Sequence, residues 1–320
     1  MVVDPSLFRP ESIDPETAEF NRQIEEMMAL APPIHTQQAH EVRAAARERG
    51  SWRGPTVYSD NAIVRQIAGP AGELTLRSFV PKQVNGVYLH IHAGGWTLGT
   101  SDGQDERLES LSNDCSVAVL SVEYRLAPEN PYPAGPDDCE AAAMWLVKHA
   151  RAEFGTEDLV IGGESAGANL AVVTLLRLRD KHGLTPFSGA YLSCGVYDAA
   201  GTPSVLNWGE RNLILSRPAM KWFADQYVAP EQLRDPDVSP LYADLSHLPR
   251  ALFTVGTLDP LLDDSLFMHS RWVAAGNVGD IAVIPGGVHM IDSLPIERGR
   301  RAFQRSKAFI RDAISAPAAT

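Results

Sequence analysis

Residues 163–167 read Gly-Glu-Ser-Ala-Gly, and their flanks decide what that pattern means. Before them, Leu159-Val160-Ile161 has the short, wholly apolar make-up of a buried strand; after them, Ala168 to Val173 runs as a helix. A serine between glycines at a strand-to-helix junction sits on a sharp turn that forces it into a strained backbone conformation. Only small neighbours allow the close approach of chain segments such a turn needs. The expected outcome is a hydroxyl standing clear at the top of a sheet, with a helix N-terminus beneath it: the position of a nucleophile. The motif therefore demands a sheet whose strands alternate with helices.

The chain supplies one. Apolar runs predict strands at Ile63 to Ile67, Thr75 to Val80, Gly86 to His92, Val117 to Val122, Leu159 to Ile161, Gly189 to Cys194, Ala251 to Val255 and Ile281 to Ile284. Amphipathic stretches predict helices at Glu106 to Asn113, Asp138 to Ala152, Ala168 to His182, Asp263 to Ala275 and Glu297 to Ala313. That alternation implies an α/β fold with a mostly parallel eight-stranded sheet covered on both faces. The first two strands are joined closely and are expected to form an antiparallel edge.

Two segments break the rhythm. Asp14-Pro15 reads as a cap and first turn, with Phe20, Ile24, Met27 and Met28 at helical spacing behind it; Pro32-Pro33 ends that helix, and a second runs from about Thr36 to Arg49. Residues 198–237 carry Leu206, Trp208, Leu213, Ile214, Met220, Trp222, Phe223 and Tyr227, an apolar helical insertion. Neither segment has a strand of its own to cover. Residues 1–55 and the insertion at about 198–237 are therefore expected to form a helical cap on a catalytic domain spanning 56–320.

Charge and cysteine usage narrow the class. The formal net charge is −12, which disfavours nucleic acid or an anionic membrane surface as partner. No apolar run approaches the roughly 20 residues of a membrane span, and Met1-Val2-Val3-Asp4-Pro5 has neither part of a leader peptide. The cysteines, Cys115, Cys139 and Cys194, are odd in number and widely spaced, as expected of reduced thiols in the cytoplasm.

A serine hydroxyl needs a base and a group to orient that base. His289, in Gly286-Gly287-Val288-His289-Met290 after the last strand, is the candidate base, and Asp259, after the preceding strand, the candidate acid. Asp263 and Asp264 are rivals that fall in a helix's first turn, where acids are expected anyway; Asp292 is too near His289 in sequence to orient it easily. Oxyanion donors are expected from the backbone N–H groups of Gly94, Gly95 and Ala166, since His92-Ala93-Gly94-Gly95-Trp96 follows a strand with small residues in succession. His90 and His92 share a strand face, but no further metal-ligand spacing accompanies them, so neither metal nor cofactor is expected. Trp96, Glu164, Phe20, Met27, Leu206, Trp208 and Trp222 are candidates for the substrate pocket, several of which would serve equally as glue between cap and core.

With these motifs in order, the chain resembles the hormone-sensitive-lipase family of bacterial carboxylesterases, among the α/β-hydrolases. His92 to Trp96 resembles the family's His-Gly-Gly-Gly loop, with Ala93 in place of one glycine. Tyr124-Arg125-Leu126-Ala127-Pro128-Glu129, then Tyr132-Pro133-Ala134 and Asp137-Asp138, is similar to its next conserved run. Gly163 to Gly167 resembles its elbow, with glutamate for aspartate; Asp259-Pro260-Leu261 and His289 resemble its acid and base. The resemblance spans residues 57–310 and implies a capped α/β-hydrolase acting on short to medium acyl esters through Ser165, His289 and Asp259, without cofactor. It leaves open a lactone- or amide-directed hydrolase, a lyase, or a non-catalytic ligand receptor on the same fold. Arg125 is expected to pair with Asp137 or Asp138, and the last strand's edge to pair two copies.

Overall fold

The structure is a computed structural model that describes residues 4–50 and 54–315; Met1 to Val3, which enter the leader reading, lie outside them. Eight strands form one sheet: β1 Ile63–Gly69, β2 Gly72–Phe79, β3 Gly86–Ile91, β4 Val117–Val122, β5 Leu159–Glu164, β6 Phe187–Ser193, β7 Arg250–Gly256 and β8 Gly279–Ile284. Their order is β1-β2-β4-β3-β5-β6-β7-β8. β1 pairs antiparallel with β2, and β2 antiparallel with β4; from β4 to β8 every pairing is parallel.

The strand residues alternate between two apolar layers, as a two-residue repeat requires. Val87, Leu89 and Ile91 of β3, Ala118, Leu120 and Val122 of β4 and Leu159 and Ile161 of β5 face one layer. Tyr88, Val117, Val119 and Val160 between them face the other. Helices α4 (Ala134–Phe154), α5 (Ala166–His182) and α8 (Leu262–Ala274) fill the first layer with residues such as Leu146, Leu170 and Trp272. Helices α3 (Asp105–Cys115) and α9 (Glu297–Ser315) fill the second with Leu108, Leu111, Phe309 and Ile310. Burial on both faces is why β3, β4 and β5 read as continuous apolar runs.

Most element boundaries shift by a few residues from the expected ones, and two of the shifts have a plain cause. β5 runs on through Gly162 and Gly163 to Glu164, because those glycines are sites of close strand contact rather than a loop: a Cβ on them would lie 2.2 Å from the Tyr191 carbonyl oxygen and 2.1 Å from that of Ile91. α4 begins at Ala134 rather than Asp138, its Pro136 sitting in the first turn where no intrahelical N–H bond is lost.

The N-terminal helices are α1 (Pro15–Leu30) and α2 (Ala39–Arg49); those of the insertion are α6 (Pro203–Trp208) and α7 (Arg217–Tyr227). Asp14 caps α1 by accepting from the Thr17 N–H at 2.9 Å, with Pro15 at its first position. A third apolar cluster joins Ile24 and Phe20 of α1 to Trp208, Leu213 and Ile214 of the insertion and to Val288, Ile291 and Leu294 after β8. Among the described residues, no helix is long and apolar enough to cross a membrane.

Candidate active site

The C-terminal ends of β3, β5, β6, β7 and β8 bring the site together. Ser165 follows β5 with φ 56° and ψ −121°, a strained position for a residue with a side chain, and then starts α5. Its N–H donates to the Ser193 carbonyl at 2.9 Å. Gly167, the second residue of α5, has no room for a side chain, since its Cβ would lie 1.9 Å from the Ile91 carbonyl oxygen. Seven non-glycine residues with positive φ occur among the described residues. Four of them (Trp96, Ser165, Cys194 and Met290) surround this one sheet edge, the clustering expected where backbone strain serves a site.

His289 lies on the loop after β8 and Asp259 on the loop after β7. The imidazole Nδ1 and Asp259 Oδ2 are 2.9 Å apart, and both residues are buried. Asp259 Oδ1 accepts the Leu261 N–H at 2.9 Å, which fixes the carboxylate in place. The rival acids serve the insertion instead. Asp264 accepts from the Tyr197 and Asp198 N–H groups and the Thr202 hydroxyl; Asp263 accepts the Ser204 N–H. Burial pushes Asp264 up to about 7. No hydrogen bond joins Ser165 Oγ to the ring; bonds between nucleophile and base commonly tighten as substrate seats.

Burial by itself depresses His289, but the Cys194 thiol and Asp259 carboxylate beside it more than offset this and hold it well above the usual imidazole value. Cys194 was no more than a reduced thiol on sequence grounds. Spatially its sulfur, with one ligand atom each of Asp259 and His289, falls in a group spanning less than 4.8 Å. Those residues are the candidate acid and base themselves rather than a separate metal centre. Burial raises the Cys194 thiol above its ordinary range.

The loop after β3 shows the features of an anion cradle. Gly94 and Gly95 have φ of 129° and 58°, and a Cβ on Gly95 would lie 2.2 Å from the Phe223 ring. Among the described residues, the N–H groups of Gly94, Gly95 and Ala166 donate to no other group. His92 braces the loop: its Nδ1 bonds the Ala93 carbonyl at 2.8 Å, and its ring stacks on Tyr124, whose hydroxyl donates to the His92 carbonyl. Arg125 pairs with Asp138, whereas Asp137 pairs with Arg177. Arg43 of α2 donates to the Thr97 and Ala127 carbonyls and pairs with Glu129, fastening the N-terminal segment to this loop.

A cavity of about 240 Å³ opens beside Trp96, walled by Val196, Val205, Leu206 and Met220 together with the charged Asp198, Arg217, Lys221 and Asp225; Ser165 and His289 are not among its walls. Trp96 is itself buried and stacked on Tyr227 at 4.3 Å. Phe20 and Trp208 sit in the α1 cluster, Trp222 packs on the main core, and Met27 is 37% exposed. Glu164 requires a correction as a pocket residue. It is buried in a polar bed under the elbow, bonded to His90 Nε2 and Gln104 Nε2 at 3.1 Å each. Burial would raise its carboxyl; His90, with Arg107 and Gln104, lowers it to about 2. His90 also bonds Ser121 at 3.0 Å, so it belongs to this bed and not to a metal site. Sequence carried no signal for the bed, because its members come from four separate segments.

A family model described as alpha/beta hydrolase fold matches residues 88–293. The carboxylic ester hydrolase LipN of Mycobacterium tuberculosis is 36% identical over 247 residues, covering 74% of this chain and 65% of that protein. The carboxylesterase NlhH of the same species is 30% identical over 302 residues, covering 90% of this chain and 91% of that protein. Among solved structures, a hormone-sensitive lipase from a metagenome library superposes with a TM-score of 0.81 at 25% identity, over 95% of this chain and 99% of that one. The elbow, the sheet order and these matches agree: this chain belongs to the α/β-hydrolase family, among its hormone-sensitive-lipase-like carboxylic ester hydrolases.

Proposed function

We propose that this chain is a serine carboxylesterase for short to medium acyl esters, with Ser165 as nucleophile, His289 as base and Asp259 as the group that orients it. The observation that carries this reading is the convergence, at one sheet edge, of the strained Ser165, the buried Asp259–His289 pair and three N–H groups without partners. Ser165 Oγ attacks the ester carbonyl while His289 takes its proton. The N–H groups of Gly94, Gly95 and Ala166 receive the oxyanion as charge develops on it. His289 then gives the proton to the leaving alcohol as the carbon–oxygen bond breaks. Water, deprotonated by His289, cleaves the acyl-enzyme and restores Ser165. The cycle balances without a cofactor.

The N-terminal helices and the insertion act as the cap. A panel of p-nitrophenyl esters, lactones and anilides tests the reading. Ester hydrolysis should dominate, with rates falling from short to long acyl chains. Anilide or lactone turnover faster than that of every ester would replace it with another acyl-transfer activity on the same residues.

Two further elements belong to the proposal. The three described cysteines are free and buried, which suits a reducing compartment such as the cytoplasm. β8 is the outer strand of the sheet, next to Val278 at 65% exposure, and two copies pair along it. Val283→Lys should shift the sedimentation of the protein from dimer to monomer; an unchanged species would remove that contact.

A further inference from the structure

We infer that Asp292, held by Arg107, is a positioning residue for the catalytic histidine, and that the first turn of α3 sets the spacing between nucleophile and base. The inference rests on the esterase reading above. Asp292 lies three residues past His289, and its side chain is fully buried. Its Oδ2 accepts from Arg107 Nη2 and from the Tyr191 hydroxyl, each at 2.6 Å; its Oδ1 accepts from Ser193 Oγ at 3.0 Å. Arg107 Nη1 donates in addition to the Asp292 backbone carbonyl at 2.5 Å. Side chain and main chain of Asp292 are thus gripped by one guanidinium, a two-point hold that fixes direction as well as distance.

This hold closes a loop that is already fixed at its start. The Gly286 N–H donates to Thr257 Oγ1, two residues before Asp259, and the Leu258 N–H, one residue before it, donates to the Gly287 carbonyl. Between these bonds and Asp292 lie only Val288, His289, Met290 and Ile291, with Met290 in the left-handed region at φ 59°. The same grip reaches the nucleophile by two routes. Ser193 donates its hydroxyl to Asp292 and accepts the Ser165 N–H on its carbonyl. Gln104, at the N-terminus of α3 and one turn before Arg107, holds Glu164, the residue preceding Ser165. Arg107 is backed in turn by Phe303 of α9, its guanidinium carbon 3.8 Å from the ring centroid. One helical turn therefore braces the elbow on one side and the histidine loop on the other.

A buried ion pair that merely stabilises would look different in kinetics, and the far part of α5 contains one for comparison. Buried Arg177 pairs with Asp137, Glu140 and Asp237, none of which bonds to α3, the elbow or the histidine loop among the described residues. Asp292→Asn should lower kcat by about 10- to 100-fold with KM within about twofold, since a small misplacement of a catalytic group costs that much, and should slow fluorophosphonate labelling in step. Arg107→Lys should lose less, because an ammonium can still reach one of the acceptors. Arg177→Met should lower Tm while keeping kcat and the labelling rate. Wild-type kcat in Asp292→Asn, or a kcat loss in Arg177→Met matching it, would overturn the inference. Should Asp292→Asn not fold, Arg107→Lys against Arg177→Lys decides the same question. A wild-type protein that neither labels nor turns over esters would sink the esterase reading instead.

Discussion

Ser165→Ala should lower kcat on an ester by a factor on the order of 10⁶, because members of a catalytic triad act as a unit and losing the nucleophile alone removes most of their effect. KM should stay within about threefold, since the N–H groups are untouched. The fold should survive. Ser165 is held by its backbone, through its N–H to Ser193 and its carbonyl to the first turn of α5, and its hydroxyl anchors nothing. Steady-state kinetics with circular dichroism as a folding control make the comparison. Near-native turnover in a folded Ser165→Ala would require another nucleophile.

Asp259→Asn should have the next largest effect, about 10⁴-fold in kcat, because an amide facing Nδ1 favours the wrong tautomer and stabilises no imidazolium. It also has a signature in pH. Catalysis needs neutral His289, so activity is lost as pH falls through the folded pKa of that ring. Burial pulls that value down, while Cys194 and Asp259 push it up, with a net rise well above 6.5. The acid limb of kcat/KM, which reports the free enzyme, should therefore lie above pH 6.5 in the wild type. In Asp259→Asn it should move down. A limb at or below 6.5 in the wild type, or an upward move in the variant, would contradict this account of the pair.

Much of the architecture was legible because the sheet is buried on both faces. Val117 to Val122 reads as an unbroken apolar run and is β4 to the residue. Where the chain packs backbone against backbone, the reading stopped short. Gly162 and Gly163 look like loop residues, yet they continue β5, since strands approach too closely there for any side chain. The helix pairs at 15–49 and 203–227 were visible from their apolar stripes, but their mutual contact through Ile24, Phe20 and Trp208 is a tertiary fact.

The site divides in the same way. Ser165, Asp259 and His289 each stand at a strand end in a local pattern, so each could be singled out in advance. Cys194 also stands at a strand end, but nothing in its neighbours distinguishes a thiol beside the proposed base from one in a core. Asp292 was set aside as an orienting acid for His289, and it does not touch that ring; its partners Arg107, Tyr191 and Ser193 lie as much as 185 residues away. Glu164 was placed on the pocket wall because of its position in the elbow, whereas a buried carboxylate takes its place from its partners, here His90 and Gln104.

The most direct test of the central claim is to inactivate the protein with a fluorophosphonate and map the adduct by peptide mass spectrometry. One equivalent on Ser165, abolished in Ser165→Ala and strongly slowed in Asp259→Asn, is the predicted result. A protein that stays unlabelled while turning over esters, or that carries the adduct on another residue, would contradict it.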